Sequence, residues 1–378
     1  MKDKPKNPFL IAGYHSPTYF CDREKETEKI ISALTNDRNI SLISPRRIGK
    51  TGLIHHVFYQ LSKQDTSVRC FYFDIFPTQN LQNFVELFGK TIIGKLDTYS
   101  ETMVKRDSSI FKSFRPSFTF DAVTGSPSVS LDIQTEKTET GLQEIFDYLK
   151  ESGKRCYIAI DEFQQITEYP EKGVEALLRS YMQIMPNVKF IFAGSKKHLM
   201  DAMFSSVNRP FYQSTQKIGL KEIPIETYRQ FAIDIFSSHN KSLYPEVFDY
   251  IYNMMIGHTW YIQFILNQLF SLPKSIYSEH DVNFIIEEIL QEENATFKTY
   301  CEMISKGQLS LLTAIAIEKK VLEPTKASFI SKYNLIAPSS VRLALSSLIN
   351  KTLILKDEDG AYYVYDRFFS LWLSKFNE

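Results

Sequence analysis

Holding a phosphate chain takes a backbone turn that presents amide hydrogens, a cation on a flexible stem, and an oxygen ligand for a divalent ion. One stretch of this chain offers all three. Ser44-Pro45-Arg46-Arg47-Ile48-Gly49-Lys50-Thr51 matches the pattern GxxxxGK[ST] except at its first position, and Gly52 follows directly. In such a loop the backbone N–H groups and the next helix N-terminus cradle phosphate oxygens. The Lys50 amine reaches the β and γ phosphates, and the Thr51 hydroxyl coordinates Mg²⁺. Ser44 in place of glycine leaves open whether the loop makes its left-handed turn there.

A second element is independent of the first. Tyr157-Ile-Ala-Ile160 reads as an apolar strand, and it ends in Asp161-Glu162. At the carboxyl end of a strand, Asp161 can hold a Mg²⁺-bound water while Glu162 polarises the attacking water. Two acids after a strand are common as a solvated turn, and a lone GKT is common by chance. Together they favour nucleotide binding. Phe190-Ile-Phe-Ala-Gly194-Ser195 supplies a third strand end, with a small hydroxyl where a γ-phosphate sensor would sit. Asp74, after Phe71-Tyr-Phe73, shares that edge and is read as a strand-ending cap or a contact to the hydrolytic water. His55 and His56 point about 100° apart on one helix, so they cannot jointly chelate a metal; at most one packs against the sheet.

The elements that must position these groups follow from the spacing. Ile40–Ile43, Val68–Phe73, Tyr157–Ile160 and Val188–Ala193 are nearly continuous apolar runs alternating with helical patterns. That predicts an α/β fold with a parallel sheet covered on both faces, each run being a central strand. Between the second and third runs, Phe118 and Phe120 alternate with polar residues, Gly125-Ser-Pro127 turns, and Val129, Leu131 and Ile133 alternate again, which predicts an inserted β-hairpin. From Ile225, Tyr228, Phe231, Ala232, Ile235 and Phe236 recur at helical spacing, and Pro245 opens a further helix. Three helices, at 309–317, 326–333 and 339–350, then precede Leu353–Leu355, an acidic turn and Tyr362–Tyr365, the order of a winged helix. The expected domains are 1–220 with the hairpin near 115–135, an all-helical lid at 221–300, and a winged helix at 301–378.

Composition narrows the classes. With 44 basic and 44 acidic residues the formal charge is zero, which excludes a binder that grips nucleic acid along its whole length. Neither an apolar stretch of membrane-spanning length nor a signal-like start is present, so a soluble, cytoplasmic protein with no membrane partner is expected. Four scattered cysteines without a CxxC pair fit reduced thiols.

With these motifs in view the chain resembles the archaeal-type ATPases, relatives of the AAA+ and STAND nucleotide switches. The likeness rests on Phe20-Cys-Asp-Arg23-Glu24, on Arg46-Arg47 before Ile48-Gly-Lys-Thr51, on Ile160-Asp-Glu-Phe163, on Ala193-Gly-Ser195 and on Tyr365-Asp-Arg-Phe-Phe-Ser-Leu-Trp372. The resemblance implies a P-loop NTPase sheet of order 5-1-4-3-2, a helical lid, and ATP with Mg²⁺ as ligand. It also makes Phe20 and Arg23 candidates for contacts to the base. Two departures stand out. After Pro210-Phe-Tyr212 there is Gln213-Ser214 where relatives carry Gly-Arg, and Gly257-His-Thr-Trp260 replaces Gly-Gly-x-Pro, so no sensor arginine is identifiable. Arg209 is the candidate replacement, acting in cis or across a boundary between copies of the chain in a homo-oligomer; an ordinary surface arginine is the alternative.

The reading is an ATP-driven conformational switch and ATPase, with Glu162, Lys50, Ser195 and Arg209 as catalytic candidates and Thr51 and Asp161 as metal candidates. Its partner would be a protein. The rivals are a DNA-associated ATPase and a non-hydrolysing scaffold. Over 305–378 ten basic residues face seven acidic ones, but the expected wing tip is Asp357-Glu-Asp359, which repels phosphates. The closing aromatics are read as winged-domain core rather than a base-stacking platform.

Overall fold

The four apolar runs pair side by side in parallel, and a fifth strand, Gln216–Gly219, joins them beside Ile40–Ile43. The computed structural model describes residues 4–93, 96, 112–120, 127–357 and 359–375. The chain divides into two units, Ala12–Ile223 and Asp3–Ile11 with Pro224–Glu378. Strands of the first unit are β1 (Ile40–Ile43), β2 (Arg69–Asp74), β3 (Phe114–Phe120), β4 (Pro127–Ile133), β5 (Cys156–Asp161), β6 (Val188–Gly194) and β7 (Gln216–Gly219). The main sheet runs β2-β5-β6-β1-β7, every pairing parallel. The α-helices of this unit among the described residues are α1 (Glu24–Thr35), α2 (Lys50–Gln64), α3 (Leu81–Ile92), α4 (Thr138–Glu151), α5 (Val174–Gln183) and α6 (Lys197–Ser205).

The strand runs are continuous because each face of the sheet has its own core. Along β5, Ile158 and Ile160 join the cluster containing Phe84, Phe88 and Leu142, while Tyr157 and Ala159 join the one containing Ile30, Leu53 and Val57. Side chains alternate across a strand, so apolar residues are needed at every position when both faces are covered. The expectation of central placement fails for β2, which is an edge strand paired with β5 alone among the described residues. Its Cys70 and Tyr72 are half-buried under α2. An apolar run records cover on the faces; it does not tell the centre of a sheet from its edge. The β3–β4 pair is antiparallel from Phe114↔Ile133 to Phe120↔Pro127. The expected turn residues Gly125 and Ser126 lie outside the described residues.

In the second unit come α7 (Ile225–Ser237), α8 (Pro245–Met254), α9 (Thr259–Ser271), α10 (Glu279–Glu292) and α11 (Asn294–Glu302). The region expected to be all-helical also carries a short parallel pair, β8 (Ser242–Leu243) with β9 (Ile276–Tyr277). Two residues of chain are too few to show as an alternating pattern. The segment before Ala12 belongs here: Phe9 is fully buried, its ring 5.0 Å from Phe236 and 5.9 Å from Phe270. Asn7 Nδ2 donates to Asn267 O and Asn267 Nδ2 returns the bond to Phe9 O.

Three helices, α12 (Lys306–Glu318), α13 (Ala327–Lys332) and α14 (Pro338–Asn350), precede the antiparallel pair β10 (Ile354–Lys356) and β11 (Tyr362–Val364), and α15 (Arg367–Lys375) closes the chain. A bridge between Val321 and Tyr362 widens the wing. The closing aromatics are core: Phe369 and Trp372 pack on Phe297, and Phe368 on Tyr261. Arg367 is buried among them, and desolvation pulls its guanidinium down to about 10. Among the described residues no helix is long and apolar enough to cross a membrane.

Gly194 closes β6 in a tight place: a Cβ there would lie 2.5 Å from both Gln164 Oε1 and Met200 Sδ, so those side chains would have to shift. Gly194→Ala should therefore cost about 1–3 kcal/mol of stability in urea unfolding. An unchanged midpoint would show that Gln164 and Met200 have room to move aside.

Candidate functional site

The order of strands puts the ends of β5, β6 and β1 next to one another, and each end carries one of the motifs. The phosphate loop leaves β1 and returns as α2, whose first residue is Lys50. Left-handed backbone falls at Arg47 (φ 62°) and Gly49 (φ 102°), with Ser44 outside that region. The missing first glycine is thus no obstacle, because the loop takes its left-handed steps further along. Ser44 N donates to Gly194 O at 3.3 Å, tying the loop's start to β6. The buried Ser44 Oγ finds no hydrogen-bond partner among the described residues, and the space a Cβ on Gly49 would occupy is open. Turn, orphaned hydroxyl and open space fit an anionic ligand.

Lys50 is folded back over the loop. Its Nζ donates to the carbonyls of Ser44 and Pro45, both at 2.7 Å, and only 6% of the residue is exposed. Burial pulls the amine down to about 8, against the opposing pull of Glu162 and Asp161. Thr51 Oγ1 donates to Asp161 Oδ2 at 2.8 Å, so the expected metal candidates touch. Hydroxyl beside carboxylate is the donor set that Mg²⁺ accepts alongside phosphate oxygens. Tyr72 also donates to Asp161 Oδ2, at 2.9 Å, and Glu162 N to Oδ1. Burial first, then Asp161, push the Tyr72 phenol up, which keeps it a donor.

Glu162 stands in left-handed backbone (φ 53°), a conformation costing a non-glycine residue roughly 1–2 kcal/mol. Its carboxylate is gathered by Ser195, which donates to Oε2 at 2.6 Å, by Gln164 on the same oxygen, and by Arg46, whose Nε lies 4.0 Å from Oε1. Asp74 pairs in register with Asp161 and accepts the N–H of Phe76 at 2.8 Å, so it caps its strand. Desolvation, then the two acids nearby, raise its carboxyl.

Other candidates have structural partners. Phe20 stacks on His56 with rings 4.5 Å apart and packs where a Cβ on Gly52 would come within 3.3 Å. Arg23, 3% exposed, donates to Lys221 O at 2.7 Å and to Ile48 O at 3.4 Å, bracing the phosphate loop from behind. His55 leans on Tyr72 of the sheet, while His56 bonds Tyr14. Arg209 is paired with Glu175 on α5. The sequence reading missed Tyr72 and Gln164. Tyr72 sits two residues before Asp74 in a half-buried strand, and its hydroxyl was the available signal; Gln164 follows the acids in a 3₁₀ turn and carried none.

The family defined by an ATPase domain predominantly from Archaea matches residues 20–265. The chain belongs to this archaeal ATPase-domain family. A second family, described as a probable winged helix domain, matches residues 295–375. An ATP-binding protein of Methanocaldococcus jannaschii, itself uncharacterized, is 25% identical over 76% of this chain and 81% of its own. Two solved structures share the fold of this archaeal ATPase-family chain. The Walker-type ATPase of Pyrococcus abyssi superposes with a TM-score of 0.67 at 17% identity, covering 97% of this chain and 99% of that one. The ORC2 protein of Aeropyrum pernix, solved in ADPNP–ADP complexes, gives 0.57 at 15% identity, over 98% and 97%.

Because the Lys50 amine titrates lower in the fold than in the unfolded chain, the unfolded state holds more protons between about pH 8 and 10.5. Stability should accordingly gain from this group as pH rises through that window, and the cost of charging it should be fully present below pH 8. Urea midpoints across pH 7 to 10.5 test this. A slope in that range identical in Lys50→Met would remove the group from the account.

Proposed function

We propose that this chain is a Mg²⁺-dependent ATP-binding protein and ATPase that works as a nucleotide-driven conformational switch. The observation carrying the reading is the Thr51–Asp161 hydrogen bond at 2.8 Å beside the buried Lys50 amine. Loop and acid, far apart in sequence, meet at one sheet edge. ATP would lie in the turn from Arg47 to Gly49, and Lys50 would exchange its two loop carbonyls for phosphate oxygens. Thr51 and Asp161 would hold Mg²⁺, which supplies neutralising charge to the β and γ phosphates when bound. Glu162 would accept a proton from the attacking water. The water oxygen bonds to the γ phosphorus, the bond to the β–γ bridging oxygen breaks, and ADP and inorganic phosphate leave. Ser195, bonded to Glu162, would report the terminal phosphate to that carboxylate.

For the winged domain we favour a protein partner. Leu322, Ile336 and Leu343 are 63%, 80% and 74% exposed, and the turn beside the wing holds Asp357 and Asp359. Large exposed apolar side chains suit protein contact, and acids repel a phosphate backbone. The rival reading draws on the ORC1 protein of Aeropyrum pernix, solved in complex with DNA, which shares the fold with a TM-score of 0.55 at 12% identity.

Lys50→Ala should abolish ATP binding in calorimetry; unchanged affinity would remove the phosphate loop from the mechanism. Glu162→Gln should keep ATP and stop phosphate release, and normal turnover would assign the water to another residue. Short duplex DNA should not bind at low salt, whereas binding that falls steeply with added salt would favour the DNA-associated rival.

A further inference from the structure

The reading above leaves the source of an arginine for the terminal phosphate unassigned. Arg209 is held by Glu175. Arg46, inside the phosphate loop, is placed differently. Its Nε donates to Ser195 Oγ at 3.3 Å and stands 4.0 Å from Glu162 Oε1, and its Cζ lies 5.1 Å from the centre of the Phe76 ring. It thus spans the loop and the two strand ends that carry the hydrolytic carboxylate and the sensor hydroxyl. Its side chain is 42% exposed, and an ion pair at this distance and exposure is weak. A guanidinium so held is easily drawn to a stronger anion, and a phosphate presents more charge and a better match to its planar fork than one carboxylate oxygen does.

We propose that Arg46 reads the γ-phosphate in cis: without it, the guanidinium stays on Glu162 and Ser195, and with it, the guanidinium moves to the phosphate and leaves Glu162 to the attacking water. The inference rests on the ATP reading and adds to it a residue that distinguishes ATP from ADP within a single copy of the chain. Phe76, half exposed beneath the guanidinium, gives the side chain a face to pivot on in both positions. No covalent change in Arg46 is involved.

The test compares ATP and ADP affinity with Mg²⁺ present, by calorimetry, for the unaltered chain, Arg46→Ala and Arg46→Lys. Arg46→Ala should weaken ATP about tenfold to a hundredfold, the range for a hydrogen bond to a charged group, and leave ADP within about twofold. Arg46→Lys, which keeps the charge without the fork, should fall between. An ATP-to-ADP ratio unchanged in Arg46→Ala, whether both nucleotides weaken or neither does, overturns this inference while sparing the ATP reading. If the unaltered chain binds neither nucleotide, the ATP reading fails and this inference fails with it.

Discussion

The hydrogen bond from Thr51 to Asp161 is the joint on which the site depends. It fastens the first turn of α2 to the last residue of β5 and so holds the loop beside the acidic strand end. A buried carboxylate is costly unless it is well bonded, and Asp161 takes Thr51, Tyr72 and the amide of Glu162. Those three bonds hold Asp161 in place, and Glu162, next along, turns aside through left-handed backbone. The two neighbouring acids thereby face different partners, one toward the helix and the other toward Ser195 and Arg46.

A second tie holds the loop from outside. Arg23 reaches the carbonyls of Ile48 and Lys221, joining the loop to the segment just after β7. Lys50 pulls on the loop's other end through Ser44 and Pro45. The loop is braced on both sides before any ligand arrives, so little ordering would remain to be done on binding.

Much of this was legible in the sequence, for identifiable reasons. The β5 run needed apolar residues at every position because two cores press on it, and that need is visible as a pattern. The GKT and the Asp-Glu pair could be picked out because each follows an apolar run closely and because few residue types suit the phosphate and metal roles expected of them. Other features were hidden because they are three-dimensional coincidences. Nothing in Phe20 or Arg23 says whether they touch a ligand or the protein's own helix and loop, and the structure gives Phe20 to His56 and Arg23 to two carbonyls. The edge position of β2 and the short β8–β9 pair depend on neighbours remote in sequence. The left-handed steps at Arg47 and Glu162 escaped notice because neither is a glycine.

The placement of Phe9 among Phe236 and Phe270 bears on how the polypeptide is made. The segment that carries Phe9 has its socket in helices that leave the ribosome more than two hundred residues after it. That segment must therefore wait while the sheet-containing unit is made, its apolar ring without a home until those helices follow. The same arrangement means that a cut at Pro224 would not release the helical unit whole, since a piece of it would remain on the other side of the cut.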